Sequence, residues 1–166
     1  MATLTERVFE AMLSFQKENN TIQMCITNTA YLVCVAKQDK EITKKFSPAV
    51  KAVMAITDTG ICLHVVMSVG EDKVVDPSEQ FQGATYVDRF CDLPKDFVIK
   101  TADGGIRRRE DYLTRFVKFL KQAQEMNEGK FEGLFHDYAE KQHAYVMGVH
   151  SKADQKQLKK MCLPLP

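Results

Sequence analysis

Little separates the two signs of charge in this chain: 23 Lys and Arg against 22 Asp and Glu leave a formal net charge of +1. So close a balance argues against a surface dedicated to nucleic acid, and no nucleic acid is expected among its partners. Residues 1–100 carry 11 basic and 13 acidic side chains and residues 101–166 carry 12 and 9, an asymmetry too weak to name any other partner. Paired cysteines are missing too. Cys25, Cys34, Cys62, Cys91 and Cys162 are odd in number, widely spread and contain no C-x-x-C. That excludes a disulfide framework and a zinc knuckle, and fits a reducing, cytoplasmic setting in which a thiol stays free. No uninterrupted apolar run approaches the ~20 residues that span a bilayer, so no membrane association is expected. The opening Met1-Ala2-Thr3-Leu4-Thr5-Glu6-Arg7 lacks the basic-then-apolar pattern of a secretory signal. His136, His143 and His150 are not spaced with carboxylates as metal ligands. Asp103-Gly104-Gly105 lacks the Lys-Ser/Thr ending of a phosphate loop and reads as a turn. No metal and no cofactor is expected, and there are neither internal repeats nor low-complexity tracts.

What is present is the composition of one globular domain, 45% hydrophobic over 166 residues, long enough to bury a core without staples. Thr3 and Glu6 are spaced as a capping box, and Leu4, Val8, Phe9, Met12, Leu13 and Phe15 behind them predict an amphipathic helix to about Lys17. Asn19, Asn20 and Thr21 make a polar break with several candidate caps. Cys25 to Ala36 is apolar on nearly all sides after Asn28 and lacks Gly and Pro, the pattern of a buried helix with Cys25 in its first turn. A charged connector, 37–45, leads to three strand-like segments: 49–57, 61–69 and 73–76, separated by Asp58-Thr59-Gly60 and Gly70-Glu71-Asp72. In the second strand Ile61, Leu63, Val65, Met67 and Val69 share one uniformly apolar face, and Cys62, His64, Val66 and Ser68 the other. Residues 78–101 read as packed irregular loop with one or two short strands. A helix follows over 107–126, with Leu113, Phe116, Val117, Leu120 and Ala123 on one stripe. A second helix starts with Phe131, Leu134, Phe135 and Tyr138 and runs to about Tyr145, and a frayed tail spans 151–166. The expected fold is α+β: an antiparallel sheet of three to five strands packed on a buried, Cys-bearing helix, with core 20–100 and C-terminal helices 107–146.

A thiol nucleophile needs a setting that favours the thiolate, a histidine that exchanges protons and a group that orients the histidine. A helix start supplies the first through its unpaired N–H groups and dipole. Cys25 stands there, His64 lies on a strand, and Asp76 ends the next strand. In a hairpin centred on residue 70, positions 64 and 76 fall opposite each other with both side chains on one face. The text Gln23-Met24-Cys25-Ile26-Thr27-Asn28, then Leu63-His64-Val65-Val66-Met67 and Lys73-Val74-Val75-Asp76-Pro77-Ser78, resembles the transglutaminase-like branch of the papain-like cysteine enzymes over roughly residues 20–80. Members of that group are thiol hydrolases and acyltransferases. The resemblance implies that Cys25 attacks an acyl carbon of an amide or ester, that His64 acts as base and then acid, and that Asp76 orients His64. A peptide or protein is the implied substrate. The Cys25 backbone N–H, with Gln23 as the only nearby upstream amide side chain, is the candidate oxyanion donor.

Two other readings stand beside this one. A glycine often precedes the cysteine in that family and an aromatic follows it, whereas Gln23-Met24 and Ile26 occupy those places here. This favours a non-catalytic binding or scaffold protein on the same fold. Alternatively the chain is a small regulatory interaction domain acting through Arg107-Arg108-Arg109 and the aromatic segment 81–97, although a charge run is more often a solvated face. The remaining cysteines are read as structural.

Overall fold

The computed structural model describes residues 1–94, 99–100, 106–107, 109–131 and 137–165. Helix α1 (Leu4–Glu18) opens on the expected capping box. The Thr3 hydroxyl accepts the Glu6 N–H at 3.1 Å, and Glu6 accepts the Thr3 N–H at 2.7 Å. Asn19 closes the helix, its side-chain amide donating to the Phe15 carbonyl. Helix α2 (Cys25–Gln38) is buried over most of its length. The connector after it contains a short helix, α3 (Lys40–Thr43), which the charged sequence concealed. Its cap is Asp39, a buried carboxylate that accepts the Glu41 N–H at 3.0 Å, the Thr5 N–H at 2.9 Å and the Thr5 hydroxyl at 2.7 Å. One side chain thus caps α3 and clamps α1 to α2. Asp39→Ala leaves the buried Thr5 donors unpaired and is expected to lower stability by about 1–3 kcal/mol. A urea midpoint within error of the parent's would show that the clamp contributes nothing.

The sheet is antiparallel, with spatial order β3-β2-β1-β4. Strand β1 (Ala49–Thr57) turns through Asp58 and Thr59 into β2 (Gly60–Ser68), with β3 (Val74–Val75) on one edge and β4 (Thr85–Val87) on the other. Gly60 sits at φ +142°, a conformation that L side chains rarely adopt. A separate two-stranded pair joins β5 (Ile99–Lys100) to β6 (Ile106–Arg107). The middle of the large sheet is buried on both faces: His64, Val65, Val66 and Met67 are all inaccessible, as are Val53, Met54 and Ala55. The face that alternation marked as mixed is therefore core in its middle and opens only at Cys62 and Ser68.

Hairpin β2–β3 corrects the expected register. Met67 pairs with Val75, Ser68 with Val74, and the Val69 N–H bonds the Lys73 carbonyl at 3.0 Å. The turn is centred one residue later than expected, on Glu71. Continued past its last bridge, this register sets residue 78 against His64 and leaves Asp76 on the diagonal. Because the partner shifts by two residues, Asp76 keeps the same face, and the diagonal is within reach of long side chains.

Helix α4 (Arg109–Asn127) starts two residues later than the periodicity indicated, since Ile106 and Arg107 are in β6. It also buries only part of the expected stripe. Phe116 and Ala123 are buried as expected, together with Tyr112 and Met126, while Leu113, Val117 and Leu120 are exposed. Two apolar rows lie side by side on this helix, and periodicity alone does not say which one meets β1 and β2. The turn at 103–105, the start of the next helix at 134–135 and His136 lie outside the described residues. Helix α5 runs over Asp137–Val149.

The segment after Ser151 is not frayed. Ser151 caps α6 (Lys152–Lys159), Leu158 is buried, and Asp154 forms a two-point pair with Arg7 at 2.9 and 2.8 Å. The Cys162 N–H donates to Gln38 at 2.9 Å. So polar a helix needs only one apolar anchor and a partner charge on α1. Among the described residues, no helix is long and apolar enough to cross a membrane.

Candidate active site

The approach to Cys25 is a turn with two residues in the left-handed region, Asn20 (φ +49°) and Gln23 (φ +61°). Asparagine tolerates this conformation; glutamine does so at a cost on the order of 1 kcal/mol. The Gln23 N–H is held by the Gln80 side-chain oxygen at 3.1 Å. That contact ties the turn to the 3₁₀ segment Glu79–Phe81, which follows Asp76. None of the polar residues 19–21 caps α2. Its N-cap is Met24, which makes no side-chain cap bond.

One turn into the same helix, the buried Thr29 hydroxyl donates to the carbonyl of Val65 at 3.0 Å. Cys25 and Thr29 are four residues apart and share a face, and Val65 follows His64. The Thr29 bond therefore sets the Cys25 face of α2 against β2 beside the histidine. Asn28, the next side chain round, accepts the Tyr138 hydroxyl at 2.7 Å.

His64 is 0% exposed. Its Nε2 lies 2.8 Å from Oδ2 of Asp76, whose side chain is 4% exposed. Its Nδ1 has no hydrogen-bond partner among the described residues. Burial works against the charged imidazole. The hydrogen bond to Asp76 and then the neighbouring Cys25 sulfur more than offset it, raising His64 from its ordinary 6.5 to about 9. The ring is thus engaged from two sides, by the Asp76 carboxylate and by the Cys25 sulfur. Cys34 differs: burial, the larger influence, pushes its thiol up to about 11 although Lys37 opposes the shift. Burial, and then the charge of Cys25, raise Cys62 as well.

Asp76 is held from several directions. Its Oδ1 accepts the Ser78 N–H at 3.0 Å, and its backbone carbonyl accepts the Gln82 amide at 2.8 Å. Its Oδ2 accepts the Tyr86 hydroxyl in addition to His64. Gln16 of α1 donates to the Pro77 carbonyl at 2.7 Å and accepts the Glu79 N–H at 2.9 Å, holding the loop from behind. Phe81 lies against the His64 ring, with centroids 4.4 Å apart. Compared with known proteins, the chain matches no family model, no curated protein sequence and no solved structure.

Cys25, His64 and Asp76 thus converge on one region. Gln23 is exposed, with its backbone N–H engaged by Gln80. Tyr86, Gln16, Phe81 and Gln82 could not be found by sequence reasoning. Three of them fall in the aperiodic segment 78–101, and Gln16 reads as one more polar residue near a helix end. Of the triple arginine, Arg107 belongs to β6 and Arg109 opens α4, while residue 108 lies outside the described set.

Proposed function

We propose that this protein is a thiol-dependent hydrolase or acyltransferase acting on an amide or ester bond of a peptide or protein. The observation that carries the reading is the buried His64, whose Nε2 is bound to Asp76 and whose ring also meets the Cys25 sulfur, on the helix that Thr29 holds against β2. A histidine used only as packing has no need of a buried carboxylate on one side and a thiol on the other.

In this reading the Cys25 sulfur, as thiolate, attacks the acyl carbon, and the carbonyl electron pair moves onto oxygen. That oxygen is received by the Cys25 backbone N–H with Gln23 on the adjoining turn. The tetrahedral species collapses with cleavage of the bond to nitrogen or oxygen, and His64 gives its proton to the leaving group. Neutral His64 then takes a proton from water or another acceptor, which attacks the Cys25 thioester and frees the thiolate. Asp76 orients the ring throughout and stabilises the imidazolium. The same division of roles is implied by the resemblance to transglutaminase-like enzymes.

The test is the alkylation rate of Cys25 against pH, followed by mass spectrometry so that the five thiols are read separately. Cys25 of the parent is expected to be the fastest of the five thiols at pH 6.5. His64→Ala is expected to slow Cys25 at pH 6.5 by about 10- to 100-fold, because the thiolate loses its counter-ion. A slow Cys25 that is indifferent to the substitution would leave the three residues as core packing and the chain as a binding protein.

A further inference from the structure

Oδ2 of Asp76 takes two donors at once, His64 Nε2 at 2.8 Å and the Tyr86 hydroxyl at 2.5 Å. The same hydroxyl lies 3.0 Å from the Phe81 carbonyl, yet a phenol has only one proton to give. At these separations the proton belongs to Asp76. A phenol turned to Phe81 would set its lone pairs against the carboxylate at the shorter distance. Tyr86 is half-buried, and its ring lies nearly parallel to that of His64, at 20° with centroids 6.3 Å apart. It is carried on β4, where it pairs with Ala55 of β1. It therefore approaches the carboxylate from the strand at the opposite edge of the sheet from β3.

We infer that Tyr86 is a positioning residue that sets how strongly His64 holds its proton, by sharing the carboxylate oxygen to which His64 is bound. The inference deepens the proposed thiol chemistry and rests on it for its purpose. The geometry on which it stands involves only Tyr86, Asp76 and His64. A carboxylate oxygen that already accepts a strong donor offers less electron density to a second one. Each increase in donation from Tyr86 therefore lowers the proton affinity of His64, and each decrease raises it. Such a device keeps His64 acidic enough to release its proton to a leaving group, where an unshared carboxylate would hold it too firmly. The titratable groups bearing on His64 are Asp76 at the end of β3, Tyr86 on β4 and Cys25 on α2. Cys62 lies two residues along β2 on the same face. Burial, then the bond to Asp76, then the Asp76 charge raise the Tyr86 phenol itself, so it remains a donor across the working range.

The experiment follows the His64 ring by nitrogen-15 NMR titration in the full chain. Three forms are compared: the parent, Tyr86→Phe, and the parent with a ring-fluorinated tyrosine placed only at position 86 as a stronger donor. Cys25 alkylation is measured on the same samples. The His64 midpoint is expected to rise by about 0.5–1 pH unit in Tyr86→Phe and to fall with the fluorinated ring. A ring that only packs would leave the midpoint unmoved in the fluorinated protein, which retains shape and volume, and that result overturns the inference. A cooperative thermal transition in each variant excludes misfolding as the source of any shift. If the midpoint shifts as expected while Cys25 stays slow and insensitive to pH, the role of Tyr86 stands and the thiol chemistry fails. If Cys25 is fast and the midpoint stays still, the reverse holds.

Discussion

Asp76→Ala is expected to lower the stability of the fold by about 3–5 kcal/mol, the range for removing one partner of a buried ion pair. Three donors lose their acceptor together: His64 Nε2, the Tyr86 hydroxyl and the Ser78 N–H. Water cannot replace the carboxylate easily, because His64 is inaccessible and Phe81 lies against its ring. Asp76→Asn should recover part of the loss. Its carbonyl oxygen can still accept from neutral His64 and from Tyr86, whereas its amide nitrogen, itself a donor, takes the place that accepts the Ser78 N–H. The two variants therefore separate roles. Alanine removes both structure and chemistry, whereas asparagine keeps the fold and withdraws the charge that stabilises the imidazolium. Urea denaturation of both, with Cys25 alkylation of the asparagine form at pH 6.5, reads the difference. An alanine variant that loses less than about 1 kcal/mol would mean that Asp76 is an ordinary turn residue before Pro77.

Stability should also fall as the solution is made alkaline, and over a window that identifies its source. His64 is raised in the folded protein from 6.5 to about 9. Its folded form binds a proton that the unfolded chain has released, so the contribution is present in full below about 6.5 and is lost as pH rises through about 9. Its upper bound is on the order of 3 kcal/mol. Above about 9 a second set of groups adds to the loss. Burial raises the hydroxyls of Tyr31 and Tyr86 and the thiol of Cys34, so the unfolded chain ionises at these positions before the folded one. Urea midpoints at pH 6, 7.5 and 9 are read in a Cys25→Ala background, where no thiol proton can offset the one held by His64. They should decline with Asp76 in place and decline less with Asp76→Asn added, where the largest raising partner is absent. Parallel declines in the two proteins would assign the slope to other groups.

Much of the backbone was legible in the sequence, for reasons that are local. The capping box at Thr3 and Glu6 joins groups three residues apart, and α1 begins there. The apolar run from Cys25 contains no breaker, and α2 begins at Cys25 itself. Alternation and turn residues located β1 and β2 to within a residue. Where the signal was weak, the errors have physical causes. A three-residue turn can be centred on either of two neighbouring positions, and the register of β2 and β3 depended on which. The polar C-terminal segment carries almost no periodic pattern, because α6 needs only Leu158 and the Arg7–Asp154 pair to dock.

By itself, then, the sequence determined the elements, the α+β class, the start of a buried helix at Cys25 and the placing of His64 and Asp76 on one face of a hairpin. Each follows from spacing along a single segment, because helix and strand periods depend only on nearby residues. Tertiary structure alone decided which of two apolar rows α4 buries, that both faces of β2 close over His64, and that Asp76 meets it on the diagonal. It also decided that Tyr86 crosses from the far edge of the sheet to share the Asp76 carboxylate, and that Gln16 holds the loop behind it. These contacts join residues whose positions relative to one another are set by packing between elements, and no local pattern in the chain encodes such a meeting.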